Sequence, residues 1–167
     1  PKRGLEIGKD IVRHGIEAYA NRNPDRVRIP EGTVEMMAGF SVEAILEALG
    51  GTPEPLVEAI KAGKIRGAVG VVGCNNPKIP QDYGHVTLTK RLIGNDILVL
   101  VTGCSAIANG KAGQMLPESA DMAGPGLSEV CKALGIPPVL HMGSCVDNTR
   151  ILTLAAALAN YLDVDVA

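Results

Sequence analysis

One pattern constrains this chain more than any other, because it occurs three times. An apolar run is followed by a glycine, a cysteine at once or one residue later, and then small or polar residues. The three copies read VGVVGCNN, LVLVTGCSA and PVLHMGSCVDN, and their cysteines are Cys74, Cys104 and Cys145. The cysteines lie 30 and 41 residues apart, about one strand–helix–strand step of roughly 30 residues. Gly67 to Gly73 is short and rich in Val, and reads as a strand buried on both faces. Ile97 to Val101 is the clearest buried strand, and Pro138 to Met142 is a third.

Helical patterns fill the spaces between. Residues 5–21 place Ile7, Ile11 and Ile16 near one face, with Lys9, Asp10, Arg13 and Glu17 toward solvent. Ser41 reads as the N-cap of a helix over 42–49, and a second short helix runs from Pro55 to Ala62. Further helices are predicted over 83–93, 104–113, 126–134 and 148–162, with Leu127, Val130, Cys131 and Leu134 inward. Strands alternating with helices imply right-handed crossovers and a parallel sheet with helices on both faces. The expected class is therefore α/β: a Rossmann-like parallel sheet preceded by a short helical segment. It forms one domain over 1–167, with a mostly helical lead-in (1–64) and a strand–Cys–helix core (65–167). The longest loops are Asn75 to Asp82 and Gln114 to Pro125, and the second is expected to be mobile.

Composition removes several function classes. Sixteen basic and eighteen acidic residues give a net charge of −2, with no general pull toward nucleic acid or anionic membranes. Aromatics are only Tyr19, Phe40, Tyr83 and Tyr161, so single strands have no stacking platform. No apolar run reaches the ~20 residues of a transmembrane segment, and PKRGLEIGKD has no signal-peptide core. A cytoplasmic location follows as the expectation. A first residue of Pro suggests a processed chain or an excised piece. Cysteines in a cytosolic chain point to reduced thiols or metal ligands rather than disulfides.

A parallel sheet brings the carboxyl ends of its strands to one edge, where ligands bind. Cys74, Cys104 and Cys145 should therefore meet there, each at or near a helix start, where free N–H groups lower a thiol pKa. Glycines before them allow positive φ and close backbone approach. Three soft thiolates select iron–sulfur, zinc or other soft-ligand metals. Cys131, within VCKAL on an apolar helix face, reads as a small buried hydrophobe. Gly67, Gly70 and Gly73 form GxxGxxG, neither a dinucleotide fingerprint nor a P-loop. His14 and His85 read as helix residues, and His141 as a hydrogen-bonded core histidine beside the site. Asp147 and Asn148 read as caps of the last helix and Arg150 as the partner of a neighbouring acid. Lys78 and Lys90 read as solvated, and Met36 and Met37 as packing residues.

GCNNPK, TGCSAIANGKAG and HMGSCVDNTR, with IPEGTVEMMAGFSVEAI upstream, resemble the anaerobic nickel-containing carbon monoxide dehydrogenases, relatives of the hybrid-cluster (prismane) proteins. The resemblance runs along nearly the whole chain. It implies oxidation of CO with water to CO₂, two protons and two electrons, and the reverse, at a nickel–iron–sulfur centre, the C-cluster. By match of motif, Cys74 and Cys104 would bind irons of the cubane part and Cys145 the nickel; Cys131 matches no ligand. Asn109 stands where related sequences commonly carry a second cysteine, which is not a required ligand. The family's enzymes are several times longer, and the other cluster ligands, the acid–base Lys and His and the relay-cluster cysteines have no match here. The implied partners are the remainder of the catalytic subunit, a ferredoxin-like electron acceptor and, for the full enzyme, a second copy. The chain alone should fold without metal and not oxidise CO. The other class left open is a non-catalytic iron–sulfur or metal-binding scaffold.

Overall fold

The computed structural model describes residues 2–166, with the side chain of Lys2 left aside. The chain divides after Thr33 into two compact units. The first holds helix α1 (Lys2–Tyr19) and a single 3₁₀ turn, Pro24–Arg26, which Asn23 caps by accepting from Asp25 N at 2.9 Å. Among the described residues its side-chain hydrogen bonds and ion pairs are local. His14 Nδ1 faces Glu17 Oε2 at 3.2 Å, Asp10 pairs with Arg13, and Arg22 lies over the Tyr19 ring. The apolar face expected around Ile7, Ile11 and Ile16 is there, but all three are exposed.

The second unit carries the sheet. Its elements are α2 (Val42–Ala48), α3 (Glu54–Lys61), β1 (Gly67–Val71), α4 (Tyr83–Ile93), β2 (Ile97–Thr102), α5 (Gly103–Lys111), α6 (Pro125–Leu134), β3 (Val139–Gly143) and α7 (Thr149–Leu162). The three strands are parallel in the order β1-β2-β3, with Val69 opposite Val99 and Val99 opposite Val139. α4 packs on β2 and on α5, while α2 and α3 pack on α7. Ile151 of α7 lies against Gly70 of β1. The expected two-faced α/β layer is therefore present.

The central strand is the most deeply buried. Leu98, Val99, Leu100 and Val101 of the central strand are at most 2% exposed, and they meet Ile65, Ile93, Leu127, Val139, Leu140 and Leu154 in one core. Each such aliphatic side chain contributes about 1.5–3 kcal/mol by leaving water. β1 departs from the expectation of burial on both faces: it is an edge strand, and Val69 and Val72 are exposed. The other edge strand, β3, is covered better, and its Val139 and Leu140 are buried.

The segment after α5 is also not the mobile loop its Pro and Gly content suggested. Pro117–Met122 forms a 3₁₀ turn. Ser119 Oγ donates to Gln114 O at 2.9 Å and Leu116 O at 2.6 Å, and Met115 and Ala120 are fully buried. The N-cap position of α6 is Gly124, which has no side chain to cap it. Asp96 supplies the cap instead, accepting from Leu127 N at 2.8 Å. At the other end of the unit Ser41 caps α2 as expected, accepting from Ala44 N at 3.1 Å.

Candidate metal centre

The parallel register puts the carboxyl ends of β1, β2 and β3 on one edge of the sheet. Cys74 lies three residues past the end of β1, Cys104 is the second residue of α5, and Cys145 opens a 3₁₀ turn (Cys145–Asp147) just past β3. Cys74 and Cys145 are exposed and Cys104 is half-buried; none is in a disulfide. Cys131 is elsewhere, 1% exposed within α6, where burial pushes its thiol up to about 12. It is the packing residue its helical position predicted.

A backbone feature draws the second and third cysteines together. Gly103 has φ +53°, and a Cβ there would meet Cys145 Cβ at 2.7 Å and Sγ at 3.0 Å. Any other residue would be both strained and in collision. Gly73 and Gly143 likewise have positive φ. In the β2–β3 ladder the register shifts after Val101, so that Thr102 faces Gly143. The buried Thr102 hydroxyl donates to Asn148 Oδ1 at 2.7 Å, tying the end of β2 to the start of α7. Asn148 was expected to cap α7 with its side chain; it makes no cap bond, because this hydroxyl takes its oxygen. Arg150 meets both carboxylate oxygens of Glu43 (3.1 and 2.9 Å) and Asp147 Oδ2 (3.5 Å). Backbone and Ser41 hydrogen bonds, and then Arg150, hold the Glu43 carboxyl below the usual range.

Helix starts do not activate all three thiols as expected. Cys74 precedes α4 by nine residues, and its pKa is raised. The neighbouring Cys104 is the main cause, through charge and hydrogen bonding, followed by desolvation and Cys145. Crowded thiolates repel one another, and a bound cation would reverse that sign. The Cys74 loop is fastened by polar contacts that the sequence reading missed. Asn75 and Asp82 are hydrogen-bonded reciprocally, and Asp82 pairs with Lys111 at the end of α5.

A cavity of about 490 Å³ opens among these elements, lined by Cys104, Cys145, His141, Asn75, Asp82 and Ile107. His141 is half-buried, and its carbonyl accepts from Phe40 N at 3.2 Å. Among the described residues no three His, Cys, Asp or Glu side chains come together as around one metal ion. Soft donors from three strand ends beside a cavity of this size fit a polynuclear iron–sulfur group, whose thiolate ligands bind separate metals.

The sequence profile of the Prismane/CO dehydrogenase family matches residues 1–167. The chain is 55% identical over 166 residues to carbon monoxide dehydrogenase 1 of Methanosarcina mazei, covering 99% of this chain and 26% of that protein. It is 43% identical over 179 residues to the carbon monoxide dehydrogenase of Rhodospirillum rubrum, covering 99% and 28%. Among solved structures, the as-isolated, Ni-free carbon monoxide dehydrogenase from Thermococcus sp. AM4 superposes with a TM-score of 0.89 at 59% identity, over 96% of this chain and 26% of that one. An acetyl-CoA synthase/carbon monoxide dehydrogenase structure described by NiZn[Fe4S4] and NiNi[Fe4S4] clusters gives 0.83 at 38% identity, over 97% and 26%. The chain thus spans about a quarter of the length of these relatives. The triple strand–glycine–cysteine pattern, the parallel sheet that gathers it and full-length profile coverage agree that this chain belongs to the Prismane/CO dehydrogenase family.

Proposed function

We propose that this chain is the part of a nickel–iron–sulfur carbon monoxide dehydrogenase that supplies three thiolates to the C-cluster. Cys74 and Cys104 would hold irons and Cys145 the nickel. The observation carrying this reading is the convergence of three strand-end cysteines on one sheet edge, where Cys104 and Cys145 line a cavity. When bound, the group supplies a soft metal for CO and a store for the two electrons of CO + H₂O → CO₂ + 2 H⁺ + 2 e⁻. The chain's own residues position it. Gly103 lets α5 approach Cys145, and the Thr102–Asn148 bond fixes where the Cys145 turn leaves the sheet. Electrons would leave for a ferredoxin-like acceptor, and the remaining ligands would come from the rest of a longer subunit acting as a homodimer in the cytoplasm. Among the described residues no helix is long and apolar enough to cross a membrane.

Anaerobic reconstitution with iron, sulfide and nickel, followed by metal analysis, tests the reading. All three bound in the complete subunit support it, iron and sulfide without nickel indicate a non-catalytic scaffold, and no metal indicates a structural fragment. Cys145→Ala in the complete subunit should lose nickel and keep most of the iron. Equal loss of both would make Cys145 a general cage ligand. The 167-residue chain alone should show no CO oxidation with a viologen acceptor.

A further inference from the structure

Asp82 is placed at a cost on two counts. It occupies the N-cap position of α4, where an aspartate ordinarily accepts from the first helical N–H groups, yet its side chain makes no cap bond. Its backbone is also left-handed, at φ 66° and ψ −13°, a region uncommon for residues other than glycine, though aspartate enters it more readily than most. The structure shows what holds it. Asp82 N donates to Asn75 Oδ1 at 2.8 Å, and Asn75 Nδ2 donates back to Asp82 Oδ1 at 2.9 Å. Gln81 Nε2 donates a second bond to Asp82 Oδ1 at 3.2 Å, and Lys111 Nζ pairs with Oδ2. The Asp82 side chain is only 15% exposed. The pairs Lys64–Glu129 and Lys132–Asp121 have no such enclosure; both their partners are largely exposed.

The clasp spans two arms of the thiol site. Asn75 follows Cys74 directly, and Lys111 ends the helix whose first turn carries Cys104. We propose that Asp82 is a positioning residue that, with Asn75 and Lys111, sets the spacing between the Cys74 and Cys104 thiols. The inference deepens the metal-site reading and rests on it for the purpose of that spacing. The spacing itself can be measured without metal.

The probe is phenylarsine oxide, which bridges two nearby thiols by forming two As–S bonds and releasing one water, with no change in oxidation state. The metal-free 167-residue chain carrying Cys145→Ser presents the Cys74–Cys104 pair, because Cys131 is buried. Asp82→Ala and Lys111→Met should each weaken arsenical binding about tenfold or more, the scale seen for groups that orient a ligand. Lys111→Arg, which keeps the charge, should return it to within about threefold. Lys64→Met, removing an exposed ion pair elsewhere, should leave it within about twofold. Circular dichroism checks that each variant is folded, and if Asp82→Ala does not fold, Lys111→Met and Asp82→Asn decide. Parent-like affinity in folded Lys111→Met overturns the proposal, as does an equal loss in Lys64→Met. Failure of the metal-site reading appears separately, as absence of bound iron and nickel after reconstitution, and leaves the arsenical result intact.

Discussion

The arms that carry Cys104 and Cys74 differ in how they are held. Cys104 leaves the central strand and enters α5 within two residues, between fully buried Thr102 and Ser105. Cys74 lies in a stretch that runs from the end of an edge strand to residue 82 before a helix resumes. Its neighbours Gly73, Asn76, Pro77 and Lys78 are exposed. Packing fixes the first arm, while a few polar bonds fix the second. The two should therefore respond to different insults: steric change for the Cys104 arm, loss of charge or a hydrogen bond for the Cys74 arm.

The largest effect should come from Gly103→Ala, where positive φ and the collision with Cys145 act together. A destabilisation of about 2–4 kcal/mol is expected, from left-handed strain plus overpacking, and urea denaturation of the metal-free chain measures it. A value near zero would mean that the Cys145 turn yields freely, and the two arms would then be equally soft. Asn75→Ala should cost less, about 1 kcal/mol for hydrogen bonds in a part-exposed setting. It should also mobilise residues 73–82 while leaving amide exchange in β2 unchanged. Spread of faster exchange into β2 would contradict the separation of the arms. The smallest effect is expected from acid. Hydrogen bonding from Lys111, chiefly, holds the Asp82 carboxyl below its ordinary range. Its stabilisation is therefore fully present above the unfolded value of about 3.9 and is lost as pH falls through the lowered folded value. Asp82→Asn should flatten that acid limb of the stability curve; an unchanged limb would remove Asp82 from the set of groups that bind protons on unfolding.

Local patterns carried much of this in the sequence. The run ILVLV marked the central strand, and the helix over 83–93 has the limits that its pattern implied, Tyr83–Ile93. The repeated glycine–cysteine junction marked the sheet edge where the thiols meet. What local pattern cannot carry is who the neighbours are. GAVGVVG is as apolar as a central strand, but its Val69 is exposed, while Val139 and Leu140 of the opposite edge strand are buried. Residues 114–125 have the composition of a mobile loop, yet Ser119 spends its hydroxyl on two carbonyls and pins the turn. Asp82 and Lys111, or Thr102 and Asn148, are far apart in the chain and of ordinary residue types, so only the fold reveals them as pairs.

Cys131 gives the chain an internal clock. A thiol buried in α6, with its pKa pushed to about 12, is closed to alkylating reagents for as long as the core stays shut. Cys74 and Cys145 are open to the same reagents at once. Mass spectrometry of a timed labelling reaction would thus resolve fast adducts at the sheet edge from one slow adduct in the core. The slow rate counts how often the second unit opens around α6. A cysteine with no part in the thiol site thereby reports the breathing of the scaffold that holds that site.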